Sequence, residues 1–272
     1  MTLRARPEFD KDASMFRALR PADESTHLER SSLPPALSGT QAPGWIAELG
    51  LGFWELGSLR NFVYLLADPE SRLALVVDPQ KDLTPLLEAL EAEKLTLQGI
   101  LLTHSHFDHI AGVPALLTRF PAAQVFVGEL DAWRLKGLSP ERITPILGGS
   151  LGTLRSLDDA PTLDVGNTRI RLFSAPGHSA GALISLFERG GRAYAFTGDT
   201  IFVRDCGRTD LETGSTAALF ETLQGVRRLL PRKTVLLPGH HYAGQIATVL
   251  GADLEESAPF LCRSTEDLES LP

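Results

Sequence analysis

From Trp45 onward, short apolar runs alternate with helical patterns, and four of the runs end in a small residue followed by histidine or aspartate. Strands interleaved with helices on this scale predict an α/β (α+β) layered sandwich. Polar chemistry recurring at strand tips predicts that one edge of this sandwich carries the site, where loops stand on a rigid scaffold. At ~150 residues per domain, the 272 residues fit one large domain over 45–272 behind an irregular extension over 1–44.

The extension mixes acidic and basic residues, contains Pro34-Pro35 and ends in Ala42-Pro43-Gly44; a short helix is expected only near Ser14–Arg20. Asn61–Ala67 and Leu73–Val77 read as consecutive strands joined by the turn Asp68-Pro69-Glu70-Ser71. Leu83, Leu86, Leu87 and Leu90 follow a helical spacing within Asp82–Lys94. A strand over Leu97–Leu102 comes next, then a helix over Ile110–Arg119, a strand over Val125–Val127 and a helix over Glu129–Lys136. Gly137–Pro161 carries Gly148-Gly149-Ser150 and Asp158-Asp159 and reads as a long loop or lid, the kind of segment that is often functional. Strands are expected over Arg169–Phe173, Leu183–Phe187, Ala193–Thr197 and Thr234–Leu237. A helix is expected over Ser215–Leu230, with Leu219, Leu223 and Val226 on one side.

Composition excludes several classes. No apolar run approaches the ~20 residues that span a bilayer, so no membrane association is expected. A net charge of −8 argues against a nucleic-acid partner, since that affinity comes from Lys and Arg. The start of the chain shows neither an apolar signal core nor an acid-poor transit pattern, so a cytoplasmic location is expected. Cys206 and Cys262 are too few for a disulfide scaffold or an all-thiolate metal site.

The histidines carry the argument. Thr103-His104-Ser105-His106-Phe107-Asp108-His109 places three imidazoles and a carboxylate directly after an apolar strand. A single histidine is usually structural, but groups packed this closely would pay charge and desolvation penalties without a cation between them. His178 follows Ser174-Ala175-Pro176-Gly177, Asp199 follows Gly198, and His240 follows Pro238-Gly239, each after its own strand. Imidazole and carboxylate donors without thiolate suit zinc, iron or manganese. Seven such donors exceed one tetrahedral ion, so two adjacent divalent ions are expected. His27 and His241 read as structural or as supports behind the donors.

These motifs, T-H-x-H-x-D-H, P-G-H, T-G-D and P-G-H in that order, resemble the metallo-β-lactamase superfamily over roughly Trp45 to Phe260. The resemblance implies a four-layered αβ/βα sandwich with metals at one edge of two sheets, making 45–272 the catalytic domain. It implies that His104, His106 and His178 hold one metal, that Asp108, His109 and His240 hold the other, and that Asp199 bridges. Zinc is the expected pair, with iron or manganese compatible.

Two branches of the family resemble this chain: glyoxalase II-like thioester hydrolases and persulfide dioxygenases that use one iron. Thr197–Phe202 followed by Cys206-Gly207-Arg208 is similar to both, and Thr209-Asp210 matches the dioxygenase form. Phe107 stands where hydrolases often carry an aromatic and dioxygenases a small residue. The interval from His104 to His178 is longer than in either branch, and His241–Pro272 is short for a glutathione-gripping helical domain. A shorter glyoxalase II-like hydrolase is therefore the expected function. It would attack a thioester, of glutathione or another thiol, with a metal-bridged hydroxide that Asp108 orients. Arg208 and Tyr242 are similar to glutathione-contacting positions of the family, although Arg208 also invites a salt bridge with Asp205 or Asp210. The dioxygenase alternative needs only His104, His178 and Asp199. A homo-oligomer is compatible with the sequence.

Overall fold

The structure, a computed structural model, describes residues 32–136, 154–156 and 162–272. The helix expected at Ser14–Arg20 and most of the loop expected at Gly137–Pro161 lie outside those residues.

Seven strands lie side by side in chain order: β1 (Gly44–Ile46), β2 (Leu51–Leu56), β3 (Asn61–Ala67), β4 (Leu73–Val77), β5 (Thr96–Leu101), β6 (Gln124–Val127) and β7 (Leu154–Ser156). The second sheet contains β8 (Thr162–Val165), β9 (Thr168–Ser174), β10 (Leu183–Arg189), β11 (Arg192–Gly198), β14 (Val235–Pro238) and β15 (Thr248–Val249), in the order β15-β14-β11-β10-β9-β8. A small hairpin, β12 (Ile201–Phe202) with β13 (Asp205–Cys206), stands apart. Helices α1 (Thr84–Ala92), α3 (Val113–Arg119) and α4 (Glu129–Lys136) back the first sheet, after the single turn α2 (Phe107–Ile110). α5 (Thr216–Leu229), α6 (Leu250–Glu256), α7 (Ala258–Leu261) and α8 (Thr265–Glu269) back the second.

Alternation along β3 shows why the layers stack. Val63 and Leu65 face the helices together with Leu86, Leu90 and Leu116, whereas Phe62, Tyr64 and Leu66 face the other sheet. Both faces of β3 are covered, which is why its sequence is almost continuously apolar. Between the sheets Phe53, Tyr64 and Leu101 share one core with Phe187, Phe196 and Leu237. On the far side Ile184, Leu186 and Leu236 pack against Leu219, Leu223 and Val226 of α5, so a large-to-small change at Leu219 should cost about 2–5 kcal/mol. Leu37, from the segment ahead of β1, is also buried in the central core. This is the four-layered α/β sandwich expected from sequence.

Three local expectations need correction. The helix expected over Ile110–Arg119 is two pieces, α2 and α3, because Gly112 donates its N–H to the Pro79 carbonyl (2.8 Å) and Pro114 restarts the helix. The segment expected to be all loop at Gly137–Pro161 contains β7, a three-residue strand too short to alternate legibly. The helix expected at Asp82–Lys94 is trimmed to α1, with the Asp82 carboxylate accepting the Thr84 N–H at 3.0 Å. By contrast α5 starts where Ser215 accepts the Ala218 N–H (3.2 Å), matching the expected helix to within a residue at each end.

Topology then gathers the site. β4 and β5 run parallel, so Asp78 and Thr103 leave the same edge of the first sheet. β11 and β14 run parallel in the second sheet, so Asp199 and His240 leave its corresponding edge. The sheets are tied there by the Leu183 N–H to the Thr103 carbonyl (2.8 Å) and the Phe62 N–H to the Gly239 carbonyl (2.8 Å). Gly198 permits this approach: it has φ +49°, and a Cβ there would lie 2.3 Å from the Thr103 hydroxyl.

Candidate metal centre

All seven donors predicted at strand tips converge at this edge. The ligand atoms of His104, His106 and His178 lie within 4.8 Å of one another, as do those of Asp108, His109 and His240. Asp199 stands between the groups, its Oδ2 3.4 Å from His178 Nε2 and 3.3 Å from His240 Nε2, its Oδ1 3.4 Å from His109 Nε2. The rings of His104 and His109 are 4.2 Å apart, so the two triads are neighbours.

Outer hydrogen bonds fix which nitrogen each ring turns inward. His178 Nδ1 donates to the Arg208 carbonyl (2.7 Å) and His240 Nδ1 to the Leu59 carbonyl (2.8 Å). His109 Nδ1 donates to Asp78 Oδ2 (3.0 Å). Thr103 gives its hydroxyl proton to the same carboxylate (2.6 Å), which leaves its oxygen to accept from His104 Nδ1 (3.1 Å). In each neutral ring, therefore, Nε2 aims a lone pair into the site. His109 Nε2 and His240 Nε2 consequently face each other at 3.1 Å, and His104 Nε2 is buried with no hydrogen-bond partner. Facing lone pairs and an orphaned buried nitrogen are unfavourable unless a proton or cation lies among them. His106 presents Nδ1 instead, 2.9 Å from His178 Nε2.

Protonation follows the same logic. Burial, helped by the charge of His109, pushes the His104 pKa well down, leaving it neutral. Burial opposes charge on Asp199 and Asp108 too, but neighbouring imidazoles win and hold both carboxyls ionised, well below their ordinary range. Burial would also neutralise His109 and His240, yet Asp199 with Asp78 raises the first, and Asp108 with Asp199 raises the second to about 9. A neutral His104, ionised carboxylates and protons on His109 and His240 that a cation would replace together make a set fitted to divalent metal.

Several residues that position this set were not read from sequence. Asp78, with φ +51°, takes the Thr103 N–H (2.7 Å) as well as its hydroxyl. Asp78 also lies close to the ligand nitrogens of His104 and His109, but its Oδ2 is already occupied by Thr103 and His109. Asp131 takes the Ser105 N–H (2.6 Å), the Ser179 hydroxyl (3.1 Å) and the Gly181 N–H (2.9 Å), joining the loops of His104 and His178. Asn61 donates to Asp108 Oδ2 at 2.9 Å. Asp78 follows an apolar strand as the donors do, so that signal was present; Asp131 lies inside a helix and gave none.

The remaining expectations have clear positions. Arg208 reaches the centre with its carbonyl, while its guanidinium makes a bidentate pair with Asp210 (2.6 Å for both bonds). Tyr242 stacks on His240 at 4.7 Å and 11°. Burial raises the Cys206 thiol to about 12, which makes it a poor nucleophile. His241 pairs with Glu55 (2.6 Å) and stacks on Phe62, a structural role; His27 lies outside the described residues.

The family profile described as "Metallo-beta-lactamase superfamily" matches residues 59–240. A probable polyketide biosynthesis zinc-dependent hydrolase, PksB of Bacillus subtilis, is 32% identical over 67% of this chain and 73% of its own. A hydroxyacylglutathione hydrolase of Synechococcus is 36% identical over 67% of this chain, which spans only 65% of that relative's length. TTHA1623, solved in a di-iron-bound form, is similar with 29% identity and a TM-score of 0.60, covering 76% of this chain and 98% of that one. The chain belongs to the metallo-β-lactamase superfamily.

Proposed function

We propose that this protein is a thioester hydrolase of the glyoxalase II-like kind that works with two divalent metal ions, zinc in the first instance. The observation that carries this reading is the pair of donor triads around Asp199, with His104 Nε2 buried among them without a hydrogen-bond partner. His104, His106 and His178 would hold one ion and Asp108, His109 and His240 the other, with Asp199 shared. Bound there, such ions lower the pKa of water towards ~7 and polarise a carbonyl. Asp108 would supply the orientation: its ionised carboxylate is steadied by Asn61, which donates to Oδ2 (2.9 Å), the oxygen that also faces His240 Nε2 (3.3 Å). A thiolate leaves without a strong acid, in keeping with a site whose buried carboxyls are held ionised.

Names of relatives support the same reading: one hydrolase called zinc-dependent, one called hydroxyacylglutathione hydrolase, and a structure holding two irons. The substrate is then a small thiol conjugate, of glutathione or another thiol. With Arg208 already paired to Asp210, a carboxylate on that thiol must compete for the guanidinium. A cytoplasmic setting completes the proposal; no helix among the described residues is long and apolar enough to cross a membrane.

One observation favours a second reading, oxidation of glutathione persulfide at a single iron. The Arg208–Asp210 pair forms within the very segment whose sequence is similar to the dioxygenases, and His104, His178 and Asp199 adjoin one another. That reading leaves Asp108 and His240, 3.3 Å apart, without a catalytic task. Metal content, thioester cleavage and oxygen uptake measured on one preparation decide between them. Two ions per chain with thioester cleavage are expected; one iron per chain, oxygen uptake and no cleavage would refute the hydrolase.

A further inference from the structure

The two donor triads are held from different parts of the chain. The first draws on the Arg208 carbonyl, which accepts from His178 Nδ1, and on Asp131, which joins the loops of His104 and His178. In the second, His240 and Asp108 are gripped by the β2–β3 hairpin through four consecutive residues. The Leu59 carbonyl accepts from His240 Nδ1 (2.8 Å), and the Arg60 carbonyl accepts from the His241 N–H (2.9 Å). Asn61 Nδ2 donates to Asp108 Oδ2 (2.9 Å), and the Phe62 N–H donates to the Gly239 carbonyl (2.8 Å). That grip is itself locked from outside. Glu55 Oε1 accepts from Arg60 Nε (2.7 Å), Glu55 Oε2 accepts from His241 Nδ1 (2.6 Å), and Arg60 Nη2 stands 2.9 Å from the same ring nitrogen. Arg60 sits at φ +57°, a left-handed conformation that a residue with a Cβ keeps only where its surroundings enforce it. A single exposed ion pair would hold little. Here three side chains close one network beside the turn, and none of the three is itself a donor.

We propose that the β2–β3 hairpin, locked by Glu55, Arg60 and His241, is a clamp that positions His240 and Asp108 and thereby sets the affinity of the second metal position alone. Glu55, Arg60 and His241 are positioning residues: they act through Leu59, Asn61 and the backbone of 239–241, and none of them faces the donors. The proposal rests on the two-ion reading and deepens it, because it names the residues that govern whether the protein holds one ion or two. Loosening the hairpin frees His240 Nδ1 and the Asp108 carboxylate, while the Arg208 carbonyl and Asp131 keep the first triad in place.

The test compares Glu55→Ala, Arg60→Gly and Glu55→Gln with the wild type. Glycine suits the left-handed backbone, so Arg60→Gly removes the guanidinium without straining the turn. Zinc returned to the stripped protein is followed by competition with a chelating dye, and the metal-free protein by hydrogen exchange at the His241 and Phe62 amides. In Glu55→Ala and Arg60→Gly the second ion should bind about tenfold more weakly and the first within about twofold of the wild type. Exchange at both amides should be faster in the same two variants. Glu55→Gln keeps an acceptor oxygen for the two partners and should recover most of the lost affinity. Equal weakening of both ions, an unchanged second ion in both variants, or a Glu55→Gln no better than Glu55→Ala would overturn the clamp while leaving two ions in place. A wild type that takes up only one ion would remove the two-ion reading instead. The exchange then decides the clamp: faster rates at both amides uphold it as the holder of His240, and unchanged rates overturn it.

Discussion

Strand β3 has a buried polar neighbourhood at each end, and the two are built differently. At its far end the Asp68 carboxylate accepts the Ser71 N–H (2.9 Å), the Ser71 hydroxyl (2.7 Å) and the Thr168 hydroxyl (2.9 Å). Arg189 completes that cluster by donating to the Thr168 hydroxyl at 3.0 Å, so both carboxylate oxygens have partners. At the near end, where Asn61 meets Asp108, His109 Nε2 and His240 Nε2 face each other at 3.1 Å, and His104 Nε2 and Asp199 Oδ1 have no hydrogen-bond partner. The first cluster is closed by the chain itself and contributes stability. The second is complete only with added positive charge, and that deficit marks it as the place of chemistry.

The sharpest way to break the comparison is to remove donors. Asp199→Ala or His104→Ala should abolish activity and bound metal together, as measured by metal analysis and turnover. Full activity in either would contradict the assignment. Asp78→Ala touches no substrate but frees His109 and Thr103; it should weaken metal affinity about 10- to 100-fold, read by competition with a chelating dye. At the other end Asp68→Ala should leave metal content alone and cost about 1–3 kcal/mol in denaturant unfolding, because buried donors lose their acceptor.

That last effect has a sign in pH. Burial works to raise the Asp68 pKa, but the hydrogen bonds from Ser71 and Thr168 win and hold it at about 2. Its contribution is therefore complete above the unfolded carboxyl value near ~3.9 and is lost as pH falls through about 2. Stability differences between wild type and Asp68→Ala should shrink across that window. The smallest effect is expected at Arg208→Ala: its pair with Asp210 is solvent-exposed and screened, and its carbonyl still holds His178. Metal content should be unchanged in that variant, whereas its loss would show that the guanidinium organises the loop.

What the sequence disclosed follows the same division. The donors were legible because four apolar strands each end in a small residue followed by histidine or aspartate, and His106, Asp108 and His109 cluster directly behind the first of these, His104. α5 was legible because Ser215 caps a full amphipathic period, and β3 because seven residues in a row are buried. Groups that hold the donors were hidden when their partners are distant in sequence: Asp131 binds the loops of residues 105 and 179–181, a relation set by tertiary folding alone. Asp78 was passed over because an aspartate before proline also reads as an ordinary turn. Short edge strands such as β1, β7 and β15 take their identity from a neighbouring strand rather than from their own two or three residues.

The central claim, that the near-end cluster is completed by two cations, is tested most directly by counting ions. Protein stripped by exhaustive chelation and reloaded with zinc should bind two ions per chain, regain thioesterase activity only with them, and bind one in Asp108→Ala. Undiminished activity in the stripped protein, or no stoichiometric binding on reloading, would contradict the account.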